Sequence, residues 1–245
     1  MSGRMRHPIL VIPAVLLGAC AVRVGGPTPE EYAAVALAAG PAETPAQTAE
    51  RLRSAQAELV LLAADRDSAW FQEVATATGL KLSGPGRTGP RALAFLSNLE
   101  ILGDTSIVLN VTEGGRIHMH DALYKVDKTR NIDLMLVRLE DTADLRAAVR
   151  TLFGYIATDV GASAALLLGI EAATPQAADS AAVLMRATLN NAEECANEDA
   201  AQATASASSP AVQLLYGPSA RLGCRTARVL PGSPPAIQAR VIVRR

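Results

Sequence analysis

The chain has 245 residues, with 23 Lys and Arg against 24 Asp and Glu and a net charge of −1. Residues 1–19 hold Arg4 and Arg6 and no acid, so beyond them 21 cations face 24 acids, a balance of −3. A chain of that sign offers no electrostatic case for nucleic acid as a partner. Hydrophobic residues make up 49% but aromatics only 3%, so the expected core is Ala, Leu and Val packed largely between helices.

The chain begins with Arg4 and Arg6, an apolar run over 8–17, and the small residues Gly18 and Ala19 before Cys20. This is the anatomy of a secretory signal. The apolar run is about half the roughly 20 residues that a bilayer span requires. Leu17-Gly18-Ala19-Cys20 resembles the lipobox of bacterial lipoproteins. The resemblance implies cleavage before Cys20, a diacylglyceryl thioether on its sulfur and usually a third, amide-linked chain. Two or more such chains anchor stably, each buried methylene contributing roughly 0.8 kcal/mol. Ala21, standing where an Asp tends to retain lipoproteins in the inner membrane, favours the outer membrane. The expected layout is a signal peptide over 1–19, a membrane tether over 20–27 and one globular domain over 28–245. Residues 21–27 reach at most about 25 Å when extended, which keeps that domain close to the bilayer.

Thr28-Pro29-Glu30-Glu31 reads as a capping box with proline at the first helical position, the helix closing at Gly40. The same signal recurs at Thr44-Pro45-Ala46-Gln47, and Leu52, Ala55, Leu59 and Leu62 follow on one helical face. Asp67-Ser68 caps a further helix carrying Trp70, Phe71 and Val74 and ending near Gly79. Leu93, Leu96, Leu99 and Leu102 predict another helix, stopping at Gly103. Residues 28–103 therefore read as a helical part and 104–245 as a mixed part.

From 106 the pattern turns to β. Residues 106–111, 116–126 and 132–139 predict a three-stranded meander, the last strand so apolar that both its faces should be buried. Asp141 or Thr142 caps a helix through Leu145, Val149, Leu152 and Ile156. Residues 164–172 are ambiguous, since Leu and Ala favour a helix while the shortness suits a buried strand; helix is the reading taken. Thr174-Pro175 starts a further helix with Cys195 near its end, 199–210 reads as an Ala/Ser-rich loop, and 212–216, 221–230 and 237–243 read as strands. The fold class expected is α+β: an N-terminal helical layer packed with antiparallel sheet and further helices. In an exported protein Cys195 and Cys224 should form one disulfide, closing about 29 residues and contributing roughly 3–4 kcal/mol in the chain-entropy account.

Chemistry-bearing motifs are sparse. Gly84-Pro85-Gly86-Arg87-Thr88-Gly89 matches G-x-G-x-x-G in letters, but a helix is predicted before it and Pro85 lacks an amide to offer a phosphate. His118 and His120 point to one face of a strand about 6.5 Å apart, a spacing metals accept. The mature chain has no other histidine, and a metal would need carboxylates such as Asp121, Asp133 or Glu113. In the simpler account Ile117 and Met119 face the core and both histidines face water. The acidic pairs Asp65 and Asp67, and Glu193 and Glu194, sit in charged segments that read as solvated. Neither G-x-S-x-G nor S-x-x-K occurs.

These observations lead to a lipid-anchored envelope lipoprotein facing the periplasm, with a non-enzymatic binding, structural or accessory role. It is expected to have no catalytic residues, no metal site and no cofactor, and an envelope protein as partner. The alternative is a periplasmic hydrolase, metal-dependent through His118 and His120.

Overall fold

The computed structural model describes residues 30–84, 92–112, 114–142, 144–160, 165–189, 193–194, 212–218 and 221–244. Cys20, the tether, Glu113, Cys195, the loop over 199–210 and most of the Gly84–Gly89 motif lie outside the described residues.

Two six-stranded mixed sheets pack face to face, with a helical pair on each outer face. In chain order the first sheet contains β1 (Glu30–Ala38), β2 (Leu59–Ala64), β3 (Lys81–Ser83) and β4 (Ala92–Ser97). It is completed from the far end of the chain. The second sheet contains β5 (Glu100–Asn110), β6 (Arg116–Lys125), β7 (Asn131–Glu140), β8 (Ala165–Ala172), β9 (Glu193–Glu194) and β10 (Val212–Pro218). Two last strands, β11 (Leu222–Leu230) and β12 (Ala236–Val243), cross back to the first sheet. The strand orders are 11-12-1-2-4-3 and 5-6-7-8-10-9. Strand β1 runs parallel to β2, and β7 runs parallel to β8.

Helices α1 (Pro45–Ser54) and α2 (Ser68–Thr78) cover the first sheet, and α3 (Leu145–Tyr155) and α4 (Pro175–Thr188) cover the second. Each begins where a side chain caps it. Thr44 and Gln47 form the reciprocal capping box of α1, Asp67 accepts from the Trp70 amide, Asp144 caps α3 and Thr174 caps α4. A single π-turn, Ile156–Val160, extends α3.

This architecture corrects the expected fold class, because the supposed helical layer over 28–103 holds four strands of one sheet and the start of the other, with two helices outside them. Residues 30–38 form β1 and 92–97 form β4, and most of each is buried on both faces. Strand β1 lies between β12 and β2, so one face meets the helices and the other the opposing sheet. A strand placed there is apolar throughout, and its alanines imitate a helix. Residues 164–172 repeat the lesson, since 165–172 are β8, paired with β7 and β10. The expected pairing of Cys195 with Cys224 falls on Cys195, outside the described residues; Cys224 lies on β11.

Alternation along β7 shows how the layers are built. Ile132, Leu134 and Leu136 enter the core between the sheets, while Met135, Val137 and Leu139 pack beneath α3 and α4. The sheets approach closely at Gly169, where a Cβ would lie 2.8 Å from Leu136 and 3.0 Å from Leu61. No helix among the described residues is long and apolar enough to cross a membrane.

Candidate functional site

The carboxyl ends of β2 and β7 meet at one end of the sandwich, as the ion pair between Asp65, the residue after β2, and Arg138 of β7 shows. A crevice outside the carboxyl ends of parallel strands is where α/β sheets bind ligands. The inter-sheet face is polar here.

Arg138 is at the centre. It is 5% exposed, and its fork grips both oxygens of Glu171 on β8, Nε donating to Oε2 and Nη2 to Oε1 at 2.9 Å. Its Nη1 crosses to the other sheet and donates to Asp65 Oδ1 at 2.9 Å. Burial pulls the guanidinium pKa down, but the Glu171 and Asp65 carboxylates outweigh it and the net direction is up. The group is therefore a permanent cation. Beside it, the cross-strand partner His118 gives Nε2 to Glu140 Oε2 at 2.8 Å, and Arg116 reaches the same oxygen at 2.9 Å. His118 Nδ1 is buried without a hydrogen-bond partner. On the first-sheet side Arg66 donates to the carbonyls of Gly40 and Pro41. A cleft of about 600 Å³ opens there, lined by Gly40, Glu43, Gln47, Arg51 and Ser233 among others.

Deeper in the same face lies His120, 2% exposed and stacked on Phe95 at 4.8 Å. Its Nε2 is 3.2 Å from Ser83 Oγ, its Nδ1 is 2.8 Å from Ser106 Oγ, and the Ser83 hydroxyl donates to Asp104 at 2.9 Å. Burial lowers the His120 pKa, opposed by Asp104 and the Thr105 carbonyl. Edge strand β3 thus meets edge strand β5 through a satisfied polar network. The histidines therefore do not face water as expected, because the second sheet turns both toward the first.

The carboxylates expected to join these histidines are elsewhere. Residues 121 and 133 are on the opposite face of β6 and β7, since strand side chains alternate. There Asp133 lies beside Asp121, each with one carboxyl oxygen buried without a hydrogen-bond partner, and Tyr155 of α3 reaches Asp121 at 3.4 Å. The sheet itself separates the imidazoles from these two acids. Among the described residues no group of three or more His, Cys, Asp or Glu side chains converges as a metal site. Asp67 serves as a helix cap and Asp65 as the partner of Arg138.

Sequence reasoning missed Arg138, Glu171 and Glu140. A signal existed: Arg138 and Glu171 are single charges inside apolar runs, and Arg and Glu are almost never fully buried unless paired.

No protein-family profile matches this chain, and no curated protein does. Solved structures do match. An endonuclease/exonuclease/phosphatase from Bacteroides vulgatus has TM-score 0.66 at 13% identity, covering 87% of this chain and 99% of that one. The human Nocturnin catalytic domain, solved with a bound sulfate anion, has TM-score 0.59 at 14% identity and coverage of 86% and 94%. TDP2 from D. rerio, complexed with a single-strand DNA product, has TM-score 0.62 at 9% identity and coverage of 86% and 98%.

The fold is that of the endonuclease/exonuclease/phosphatase proteins. Two expectations are corrected by these matches. A non-enzymatic module is not what the framework resembles, so the reading of a chain without an enzyme's role is withdrawn. The exclusion of nucleic acid also falls, because a protein of this shape has been solved with a DNA product. Net charge averages over a whole surface, whereas recognition of a phosphate depends on the few cations at one crevice.

Proposed function

We propose that the protein is a hydrolase of phosphoester bonds, working at the carboxyl end of its parallel strands between the two sheets. The observation that carries the reading is Arg138, a buried and permanently charged fork set in the crevice of a framework shared with phosphatases and nucleases. A guanidinium matches the oxygens of a phosphoryl group in geometry as well as charge. In this reading a phosphoryl oxygen replaces Asp65, whose side chain is 60% exposed, while Glu171 keeps the fork in position. Glu140 holds the His118 ring through Nε2, and Nδ1 takes a proton from the attacking water. A general base of this kind contributes on the order of 10²–10⁴ in rate. For location, the lipobox residues alone support attachment to an envelope membrane through Cys20.

The test is hydrolysis by the purified mature chain of bis-p-nitrophenyl phosphate, p-nitrophenyl phosphate and a single-stranded oligonucleotide. Cleavage of at least one is expected, with His118→Ala about 10²-fold slower. Inertness of a folded protein toward all three refutes the proposal.

A further inference from the structure

Phosphatases and nucleases commonly clamp the reacting phosphate with divalent metal ions. The donor set in this crevice does not fit one. Magnesium needs near-octahedral oxygen ligands at about 2.1 Å, with one or two carboxylates free to bind it. Three carboxylates surround Arg138 and His118, and each has oxygens already held by a cation. Both oxygens of Glu171 and one of Asp65 are taken by Arg138, and Glu140 is shared by Arg116 and His118. Two further acids of the second sheet, Asp121 and Asp133, are on its other face.

We propose that the Arg138 guanidinium is a built-in cation occupying the place a divalent metal would need, so that this crevice works without metal. The inference rests on the phosphoester-hydrolase reading for its purpose, but its first test does not depend on activity. The arrangement is self-consistent electrostatically. One guanidinium neutralises Glu171 within its sheet and Asp65 across the gap, and a dication added beside it would meet like charge at hydrogen-bonding range. It also accounts for a buried arginine in a doubly covered strand, where a charge is costly unless paired.

Binding of Mn²⁺ to the mature chain, followed by titration calorimetry and by the paramagnetic signal of free Mn²⁺, tests this directly. The wild type is expected to show no saturable site at millimolar Mn²⁺. Arg138→Met keeps the volume and leaves Glu171 and Asp65 facing each other without a cation, and it is expected to gain a site. Saturable binding to the wild type that Glu171→Gln abolishes overturns the proposal, and so does a folded Arg138→Met with no gain. If Arg138→Met does not fold, the wild-type titration with its Glu171→Gln control decides alone. Hydrolysis, once found, should persist in excess chelator; loss of hydrolysis in chelator would overturn this inference and leave the hydrolase reading standing. Absence of hydrolysis with no Mn²⁺ site refutes the hydrolase reading instead.

Discussion

The pair formed by Asp121 and Asp133 beneath α3 makes stability depend on pH in an unusual direction. Burial pushes the Asp133 carboxyl up to about 8, and the neighbouring Asp121 carboxyl pushes the same way. Asp159 and Tyr155 are also ionisable and lie in this neighbourhood, and the Tyr155 hydroxyl is itself pushed up to about 12, first by burial and then by Asp121. The folded state therefore keeps a proton on Asp133 that the unfolded chain gives up near pH 4. Its contribution to stability is complete in acid and is lost as pH rises toward 8. A tenfold difference in proton affinity between the folded and unfolded states corresponds to about 1.4 kcal/mol. The distance from an ordinary aspartate to Asp133 sets an upper bound of roughly 5–6 kcal/mol, and we expect about half once side-chain relaxation and water penetration around the charged form are allowed for.

Asp133→Asn keeps the shape and a donor toward Asp121 without the titration. Relative to wild type it should gain on the order of 3 kcal/mol between pH 5 and pH 8, about 6–12 °C in melting temperature for a chain of this size. Urea unfolding of both proteins at the two pH values reads this difference, and taking the difference cancels every other titrating group. Equal pH slopes for variant and wild type would refute the shared-proton arrangement.

Three other outcomes follow from the same structure. Gly169→Ala should destabilise by about 1–3 kcal/mol through overpacking against Leu136 and Leu61; an unchanged urea midpoint would show that the sheets can separate at no cost. His120 is neutral when buried, so its contribution is present at neutral pH and lost as pH falls below 6.5; His120→Gln should flatten that acid limb, and an identical limb in the variant would count against it. Cys20→Ala should move the protein from the membrane pellet to the soluble fraction, and continued sedimentation with membranes would disprove anchoring at that residue.

Local signals are readable where the cause is local. Thr44, Asp67 and Thr174 cap helices because a short side chain meets the next turn's free amides, an interaction contained in four residues. The strand alternation that sets His118 and His120 on one face, with Asp121 on the other, is equally local. Residues 30–38, 92–97 and 165–172 pass for helix because burial on both faces erases the alternation that distinguishes a strand. The crevice is illegible for a related reason: Asp65 and Glu171 are 73 and 33 positions from the Arg138 that joins them.

From its order of residues alone, this protein's helix starts at Thr44, Asp67 and Thr174 and its β-hairpins can be read, because each depends on neighbours along the chain. Which apolar segments became inner strands, which face of β6 looks into the sandwich, and which carboxylates claim the buried guanidinium of Arg138 were decided by the stacking of two sheets. That stacking exists only once distant segments meet, and it turns isolated charges in apolar runs into a site.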